Sequence, residues 1–266
     1  MDLDLKGKCA IITGSNKGIG LSIAEQLASE GMNLILCARD KERLFTSAND
    51  ISSRHGVTVH AKTLDVCNKD EINEFISFAN AKFNDGIDVL INNAGANTSE
   101  SIFTADESRW YYEFDRNVMA VVRLCKGFGN KLALKQGVII NIGSIYGKQP
   151  GLGHPIFSIT KAAMVMLSKC LSQELIQHKV RVNCVLPGPI WVEPNTRYQF
   201  ENIAKAQGNT HPWEAYAKHA GANFPMGRFG TVDEVSKLVC FLCSRHASYT
   251  TGANFYIDGG CVSSIY

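Results

Sequence analysis

Short apolar segments alternate with longer helical patterns along the whole chain, and this alternation most restricts the possible folds. Val138-Ile139-Ile140-Asn141-Ile142 is apolar almost without interruption, which is typical of a parallel strand covered on both faces. The candidate strands are Cys9–Thr13, Asn33–Ala38, Val57–Leu64, Asp88–Asn92, Val138–Ile142, Arg181–Leu186 and Phe255–Ile257. The candidate helices are Gly18–Glu30, Lys41–Arg54, Lys69–Phe83, Ser108–Leu134, Ile156–His178 and Val232–Cys243. The pattern predicts an α/β fold: a Rossmann-type, doubly wound parallel sheet of about seven strands with helices on both faces.

The length and the composition favour one domain. A chain of 266 residues with 45% hydrophobic residues can bury a large core. We find no repeat and no linker, so residues 1–266 are predicted to form a single dinucleotide-binding and catalytic domain. The least regular segment, about residues 190–228, mixes Pro, Gly and aromatic residues, and we interpret it as a substrate lid.

Several classes of partner lack support in the sequence. The net charge is +2 without a basic cluster, which argues against nucleic acid and membrane surfaces. Cys240 and Cys243 form an isolated pair, so no metal site is expected. The nine cysteines are interpreted as reduced thiols. The acidic start and the lack of a long apolar run predict a cytoplasmic protein.

A glycine-rich turn joins the first predicted strand to the first predicted helix. Its residues are Thr13, Gly14, Ser15, Asn16, Lys17, Gly18, Ile19 and Gly20. Glycines at such a junction allow a tight turn, a close approach of the backbone to a pyrophosphate, and close packing of helix on strand. The N-terminus of the helix then offers free N–H groups to the phosphates. The turn predicts a dinucleotide site.

The end of the second strand distinguishes NADP from NAD. An NAD site places an acidic residue there to accept a hydrogen bond from the ribose 2′-hydroxyl. This chain has Arg39 at that point and Lys17 in the facing turn, and both suit a 2′-phosphate. Asp40 is interpreted as the N-cap of the helix that starts at Lys41. We therefore predict NADP, with NAD as the alternative if the two cations are merely solvated.

In order along the chain, the motifs resemble those of the short-chain dehydrogenase/reductase family. The Thr-Gly-x-x-x-Gly-x-Gly turn is similar to the cofactor signature of that family. Further matching positions are Asp65, Val66, Asn92, Asn93, Ala94, Gly95, Pro187, Gly188, Asp258, Gly259 and Gly260. The resemblance implies that Asp65 and Val66 contact adenine, that Asn92, Ala94 and Gly95 lie beside the cofactor, and that Pro187, Gly188 and the Ile190 backbone lie near the nicotinamide.

The resemblance also implies hydride transfer between nicotinamide and a ketone or secondary alcohol. Asn117, Ser144 and Lys161 match three of the four catalytic positions of the family. In the family, the lysine binds the nicotinamide ribose and lowers the pKa of a tyrosine, the serine binds the substrate oxygen, and the asparagine orients a water. Lys161, Ser144 and Asn117 are the corresponding residues here.

The fourth catalytic position departs from the family pattern. Phe157 stands where the family has the tyrosine that exchanges a proton with the substrate oxygen. Phe157 has no hydroxyl, and the loss of a general acid costs on the order of 10²–10⁴ in rate. Three explanations stay open: a laboratory substitution, a natural variant that uses another donor such as Tyr146 or His154, or an NADP-binding protein without catalysis.

The resemblance suggests the walls of the substrate pocket and an assembly. Ser144, Tyr146, His154 and Trp191 are the candidate substrate-binding residues, and the partner is a small carbonyl or alcohol compound. Valine stands at position 192, where the family often has a threonine that contacts the cofactor. The resemblance further implies a homotetramer.

Overall fold

Parallel strands with buried apolar side chains form the centre of the protein. The computed structural model describes residues 2–97 and 99–264. The strands of the main sheet are β1 (Cys9–Thr13), β2 (Asn33–Ala38), β3 (Val59–Thr63), β4 (Val89–Asn92), β5 (Val138–Ile142), β6 (Arg181–Pro187) and β9 (Asn254–Ile257). They are ordered β3-β2-β1-β4-β5-β6-β9, and neighbouring strands pair in parallel. The predicted doubly wound α/β fold is confirmed.

Helices connect the strands and cover both faces of the sheet. The helices are α1 (Gly18–Ser29), α2 (Lys41–His55), α3 (Lys69–Lys82), α4 (Glu107–Phe114), α5 (Ala120–Lys135), α6 (Pro155–Leu175), α7 (Asn195–Ala206), α8 (Trp213–Ala222) and α9 (Val232–Cys243). A second, two-stranded parallel sheet pairs β7 (Ile190–Trp191) with β8 (Gly230–Thr231). The predicted N-cap is confirmed, because the Asp40 side chain accepts a hydrogen bond from the Arg43 N–H. Thr231 and Glu234 form a capping box at the start of α9.

Side chains that alternate along each strand build two hydrophobic layers. Ile12 of β1 packs with Leu27 of α1 and Val239 of α9 on one face. The adjacent Ile11 belongs to the opposite layer, with Phe75 of α3 and Phe128 of α5. Burial on both faces explains the continuous apolarity of the strands.

The strand order reverses beside β1. The chain passes from β1 through β2 to β3 on one side, and then crosses to β4 on the other side. The carboxyl ends of β1 and β4 therefore diverge into helices on opposite faces, which leaves a crevice between them. The glycine-rich turn and the Asn92–Gly95 segment lie at this crevice.

Several elements differ from their predicted bounds by one to three residues, and the differences in the helix before β5 and in β3 are examples. The helix expected over Ser108–Leu134 is interrupted by a π-helical turn, Asp115–Met119, because one extra residue is inserted into the hydrogen-bonding ladder there. The predicted strand Val57–Leu64 is shortened to Val59–Thr63.

Other features of the chain concern partners. All nine cysteines are free thiols. Within the described residues, no helix is both long and apolar enough to cross a membrane. In the same residues, no group of three or more His, Cys, Asp or Glu side chains could hold a metal ion.

Candidate cofactor and substrate cavity

One cavity of about 320 Å³ lies at the carboxyl ends of the central strands. It extends from the glycine-rich turn, past the end of β2, to Phe157 and Lys161 of α6. Its lining residues are Gly14, Asn16, Lys17, Gly18, Ile19, Gly20, Cys37, Ala38, Arg39, Leu64, Asp65, Val66, Asn93, Ala94, Gly95, Ala96, Asn97, Arg116, Ile142, Gly143, Phe157, Lys161, Val192 and Asn195. The volume falls in the range of small-molecule and cofactor sites.

The backbone of the turn requires glycine at specific points. Gly14 and Gly18 have φ of 64° and 58°, in the left-handed region that disfavours side chains. A Cβ on Gly20 would lie 2.3 Å from the Gly14 carbonyl oxygen, so this glycine lets α1 approach β1 closely. No side chain caps the N-terminus of α1, which leaves its first N–H groups available to an anion.

The predicted 2′-phosphate ligands lie at the carboxyl end of β2 and in the glycine-rich turn. Lys17 and Arg39 both line the cavity and both are exposed. The Asp40 side chain caps α2 and is not among the lining residues. The charge of this end of the cavity is therefore positive.

Asn93 and Thr13 fasten the segment after β4 to the glycine-rich turn. The Thr13 hydroxyl accepts hydrogen bonds from the backbone N–H groups of Asn93 and Ala94, each at 3.0 Å. The Asn93 amide donates to the carbonyls of Thr13 and Gly14, at 2.9 and 3.0 Å. The Asn93 side chain is a structural link that the sequence analysis did not single out. Its signal was its place inside the Asn-Asn-Ala-Gly motif.

Some predicted cofactor residues point elsewhere. Asn92 is buried and donates a hydrogen bond to the side chain of Asn141, on the neighbouring strand β5, at 2.8 Å. The Ser15 hydroxyl donates to the Cys37 carbonyl at 3.4 Å. Neither residue lines the cavity. Asp65 and Val66 do line it.

Lys161 and Phe157 stand one helical turn apart at the other end of the cavity. Lys161 is buried, and its ammonium donates to the Ile142 carbonyl at 2.8 Å. The Lys161 Nζ lies 5.5 Å from the centroid of the Phe157 ring. Burial lowers the pKa of Lys161 to about 8. The neighbouring Cys184 opposes this lowering, and the positive charge of Arg116 adds to it. Phe157 thus occupies the position next to the ammonium, without an oxygen atom.

Tyr146 lies beside Phe157, and Ser144 and His154 contact Tyr146. The Ser144 hydroxyl accepts a hydrogen bond from the Tyr146 N–H at 3.2 Å. The Tyr146 ring stacks on His154, with centroids 5.6 Å apart, and meets the Phe157 ring edge to face at 6.2 Å. The structure therefore brings together both candidate alternative donors, although these three residues are not among those that line the cavity.

Asn117 lies within the π-helical turn and is fully buried. Its Oδ1 accepts from the Ala96 N–H at 3.3 Å, and its Nδ2 donates to Thr160 and to Glu113, each at 3.2 Å. A Cβ on Gly95 would lie 2.9 Å from Asn117 Oδ1 and 3.6 Å from Lys161 Nζ. The dilated turn therefore holds Asn117 against the segment after β4, close to Lys161.

The aromatic residues of the lid pack on one another. The Trp191 ring stacks on Phe200 and on Trp213, both at 6.1 Å between centroids, and meets Phe229 at 5.5 Å. Trp191 is not among the lining residues, whereas Val192 and Asn195 are. Val192 touches the glycine-rich turn, since a Cβ on Gly18 would lie 2.9 Å from its Cγ1.

The strand β6 ends in the predicted Pro187-Gly188 turn. The Gly188 N–H donates to the Ile257 carbonyl, and a Cβ on Gly188 would lie 2.7 Å from Asp258. Ile190 pairs with Gly230 in the small sheet. None of Pro187, Gly188 and Ile190 is among the lining residues.

Several residues that line the cavity were not predicted from the sequence. Arg116 is the most consequential, because it adds a charged side chain to the lining of the cavity. No pattern in the sequence reveals that the helix dilates at Asp115–Met119 and turns this residue inward. Asn195 was inside the predicted lid but had no motif to distinguish it.

The lining residues fit a dinucleotide. The cavity holds an uncapped helix N-terminus and two exposed cations at one end, which suit phosphates. At the other end it holds a buried ammonium, which suits ribose hydroxyls. The groups are arranged along one crevice, as an extended ligand with several anionic groups requires.

Comparisons with known proteins agree with this arrangement. Residues 14–262 match a family model described as enoyl-(acyl carrier protein) reductase. The chain is 32% identical to the 3-oxoacyl-[acyl-carrier-protein] reductase of Aquifex aeolicus, with 98% of this chain and 99% of the relative covered. It is 34% identical to an uncharacterized oxidoreductase, YvrD, of Bacillus subtilis over all of both chains.

The fold is also found among solved structures. The crystal structure of L-sorbose reductase from Gluconobacter frateurii, complexed with NADPH and L-sorbose, superposes with a TM-score of 0.96. The two chains are 35% identical, and all of each chain is covered. On the family model, the relatives and the shared fold, this chain belongs to the short-chain dehydrogenase/reductase family of oxidoreductases.

Proposed function

We propose that the protein is an NADP(H)-dependent oxidoreductase that transfers hydride between nicotinamide and a ketone or secondary alcohol. The observation that carries this proposal is the single cavity that joins the glycine-rich turn and Arg39 to Lys161. The cofactor is NADP. Among similar proteins, one is an L-sorbose reductase whose structure holds NADPH and L-sorbose, and another is named for 3-oxoacyl groups on acyl carrier protein.

The binding residues divide by the part of NADP that they suit. The turn, including Gly14, Gly18 and the free N–H groups of α1, suits the diphosphate. Lys17 and Arg39 suit the 2′-phosphate, because both present positive charge to that end. The further proposed contacts that line the cavity are Asn16, Ile19, Gly20, Asp65, Val66, Ala94 and Gly95. The other predicted cofactor residues do not line it, and we propose that they support the cofactor site by holding its segments in place: Ser15, Asn92, Pro187, Gly188 and Ile190.

The catalytic end acts on a carbonyl oxygen. The bound nicotinamide supplies or accepts the hydride. The Ser144 hydroxyl donates a hydrogen bond to the substrate oxygen, and Lys161 holds the ribose hydroxyls and a mobile proton at Nζ. Asn117 keeps the segment after β4 in place through its bond to the Ala96 N–H. Tyr146, His154 and Trp191 are proposed to border the substrate or to shape the lid above it.

Phe157 limits the rate of proton transfer to the substrate oxygen in this protein. The ring preserves the shape of the site beside Lys161, but it cannot donate a proton to the substrate oxygen. Proton delivery must then come from a bound water or from Tyr146 or His154, which is slower than transfer from a phenol held against the ammonium. We expect hydride transfer to be retained at a rate lower by on the order of 10²–10⁴.

The test is NADPH oxidation with a panel of carbonyl compounds, using the chain as written and the Phe157→Tyr variant. The panel contains L-sorbose, other ketoses, a 3-oxoacyl thioester and simple aromatic ketones. The expected result is slow oxidation by the parent and faster oxidation of the same substrate by Phe157→Tyr. If both proteins bind NADPH but neither oxidises it with any compound, the protein is a cofactor-binding member without hydride transfer.

The donor in the parent is tested by Tyr146→Phe and His154→Gln. Each substitution is made in the parent and in Phe157→Tyr. If one of them removes the residual activity of the parent but does not change the activity of Phe157→Tyr, that residue is the donor. Equal residual activity in both variants assigns the proton to water. A tyrosine codon at position 157 of the source gene would identify Phe157 as a laboratory substitution.

We also propose a homotetramer located in the cytoplasm, with one domain over residues 1–266 and a lid over residues 190–228. Exposed apolar side chains on α4 and α6 support the assembly: Tyr111 is 68% exposed and Met166 is 64% exposed. Analytical ultracentrifugation at micromolar concentration tests it, and a monomer would overturn it.

A further inference from the structure

A buried ion pair borders the cavity. The Glu113 side chain is fully buried in α4. Its carboxylate pairs with the guanidinium of Arg116, three residues along the chain, whose side chain is only 11% exposed. Acidic and basic side chains are rarely buried unless they are paired. Arg116 is the member of the pair that lines the cavity.

The neighbours of Arg116 fix the guanidinium in place. Its Nη2 donates to the Glu113 carboxylate and, at 3.2 Å, to the Ala96 carbonyl. The guanidinium carbon lies 5.1 Å from the centroid of the Tyr112 ring. Such an anchored planar group loses little entropy when it binds a ligand.

Part of the guanidinium has no partner in the protein. The Arg116 Nε is buried and lacks a hydrogen-bond partner within residues 2–97 and 99–264. All hydrogen bonds of this side chain inside that part of the protein come from Nη2. A guanidinium has five N–H donors, and leaving a buried donor unsatisfied costs free energy. The buried Nε is out of a ligand's reach, so a ligand in the cavity that Arg116 lines would accept from the other guanidinium N–H groups that make no hydrogen bond within these residues.

The charge of Arg116 acts on both ends of the cavity. Burial is the largest cause of the lowered pKa of Lys161, and Arg116 adds to it. Burial raises the pKa of the Cys67 thiol, beside Asp65 and Val66, and Arg116 is among the groups that oppose this rise. Arg116 therefore lies between the proposed adenine end and the proposed nicotinamide end.

We propose that Arg116 is a further cofactor-binding residue, which donates to the central ribose–diphosphate part of NADP, and that Glu113 is its positioning residue. Glu113 also accepts a hydrogen bond from Asn117 Nδ2 at 3.2 Å. One buried carboxylate thus orients both a cofactor contact and a proposed catalytic residue. The proposal rests on the proposed NADP-binding function.

The experiment measures ligand binding by fluorescence and calorimetry, without turnover. Arg116→Met removes the charge and the donors. The Glu113→Leu/Arg116→Met double variant removes both members of the pair, so that the buried carboxylate, which also pairs with Arg109 at 3.5 Å, is not left with one partner missing. Arg123→Met is the matched control, because Arg123 pairs with Asp115 beside the same π-helical turn, has an 18% exposed side chain and does not line the cavity.

Fragments of the cofactor locate the contact. Both Arg116 variants are expected to raise the Kd for NADPH and for ADP-ribose 2′-phosphate by about tenfold or more, the loss of a hydrogen bond to a charged group. Binding of adenosine 2′-monophosphate is expected to stay within about twofold, since it lacks the central part. Glu113→Gln, which keeps an oxygen acceptor, is expected to give an intermediate Kd for NADPH. Arg123→Met is expected to bind every ligand as the parent does.

The outcomes separate this inference from the proposed function. If the parent does not bind NADPH, the proposed function fails. If the parent binds NADPH and a folded double variant binds it equally well, only the role of Arg116 is overturned. An unchanged Kd for NADPH with weaker binding of the carbonyl compound to the NADP complex would also overturn it, and would assign Arg116 to the substrate. Melting curves by circular dichroism establish that each variant is folded.

Discussion

The two ends of the cavity differ in whether all the groups that their proposed roles require are present. At the glycine-rich turn, backbone shape, helix N-terminus and cations all suit a phosphorylated ligand. At Phe157, the surrounding groups are in place: Lys161 is held by the Ile142 carbonyl, and the Tyr146 ring meets Phe157 edge to face. What that end lacks is a single hydroxyl.

This difference shows that cofactor binding and proton transfer depend on different features of the same cavity. Binding depends on a backbone shape that many residues determine together, including Gly20 against Gly14 and Thr13 against Asn93. Proton transfer depends on one oxygen atom beside one ammonium. A substitution at position 157 can therefore reduce turnover while leaving the cofactor site unchanged.

The largest expected effect concerns Lys161 once the hydroxyl is restored. In a Phe157→Tyr background, Lys161→Met removes the charge that lowers the pKa of the phenol, and we expect kcat to fall on the order of 10²–10⁴-fold. Lys169→Met is the control, because Lys169 is exposed on the same helix. Steady-state kinetics with NADPH give the answer. Equal losses in the two variants would show that the catalytic end was assigned incorrectly.

Lys161 should also make the stability of the protein depend on pH. Its pKa in the folded state is about 8, against 10.5 for an ordinary lysine, so folding disfavours its charged form. The free energy of unfolding should gain up to roughly 3 kcal/mol from this group as pH rises from about 8 to about 10.5, and gain nothing below pH 8.

Lys161→Met removes this titration. Urea unfolding of both proteins at pH 7.5 and pH 10 measures it as the difference in pH dependence between them, which cancels the other titrating groups. The same pH dependence in parent and variant would mean that Lys161 is not held in a desolvated environment.

Thr13 tests the binding end. Its hydroxyl accepts from two backbone N–H groups after β4, and Thr13→Val leaves both without this acceptor. We expect a loss of about 1–3 kcal/mol of stability for each unsatisfied group, and weaker binding of NADPH. Thr58→Val, at an exposed position, is the control. Denaturant titration measures the loss of stability, and NADPH fluorescence measures the Kd. An unaltered Kd would mean that the hydrogen bonds that hold the Asn93–Gly95 segment do not contribute to cofactor binding.

The smallest expected effect distinguishes the two nicotinamide cofactors. Arg39→Ala should raise the Kd for NADPH by about tenfold and leave the Kd for NADH nearly unchanged, since Arg39 is exposed and its interaction with a 2′-phosphate is screened by solvent. Arg43→Ala, an exposed arginine of α2, controls for general charge. Parallel losses for both cofactors would remove Arg39 from the 2′-phosphate site.

Much of the fold followed from local rules. The strands Cys9–Thr13, Asn33–Ala38 and Val138–Ile142 have the predicted bounds, because apolar runs end where polar or turn residues begin. The caps at Asp40 and Thr231 were also predictable, since a capping side chain acts within three residues of itself.

The parts that escaped prediction depend on long-range packing. The sequence does not reveal that the helix expected over Ser108–Leu134 dilates at Asp115–Met119, and so it does not reveal that Arg116 faces the cavity. Aromatic side chains in a lid can face a substrate or one another, and only the packing of α7 and α8 directs Trp191 toward Phe200 and Trp213. Asn92 likewise turns toward Asn141 because of strand order.

The most direct test of the account compares binding and chemistry in one pair of proteins. The Kd for NADPH and the single-turnover rate of NADPH oxidation by the best carbonyl compound are measured for the parent and for Phe157→Tyr. We expect the two Kd values to agree within about twofold while the rate rises on the order of 10²–10⁴-fold. A variant that binds NADPH equally well and reacts no faster would contradict the claim that the missing hydroxyl limits the chemistry.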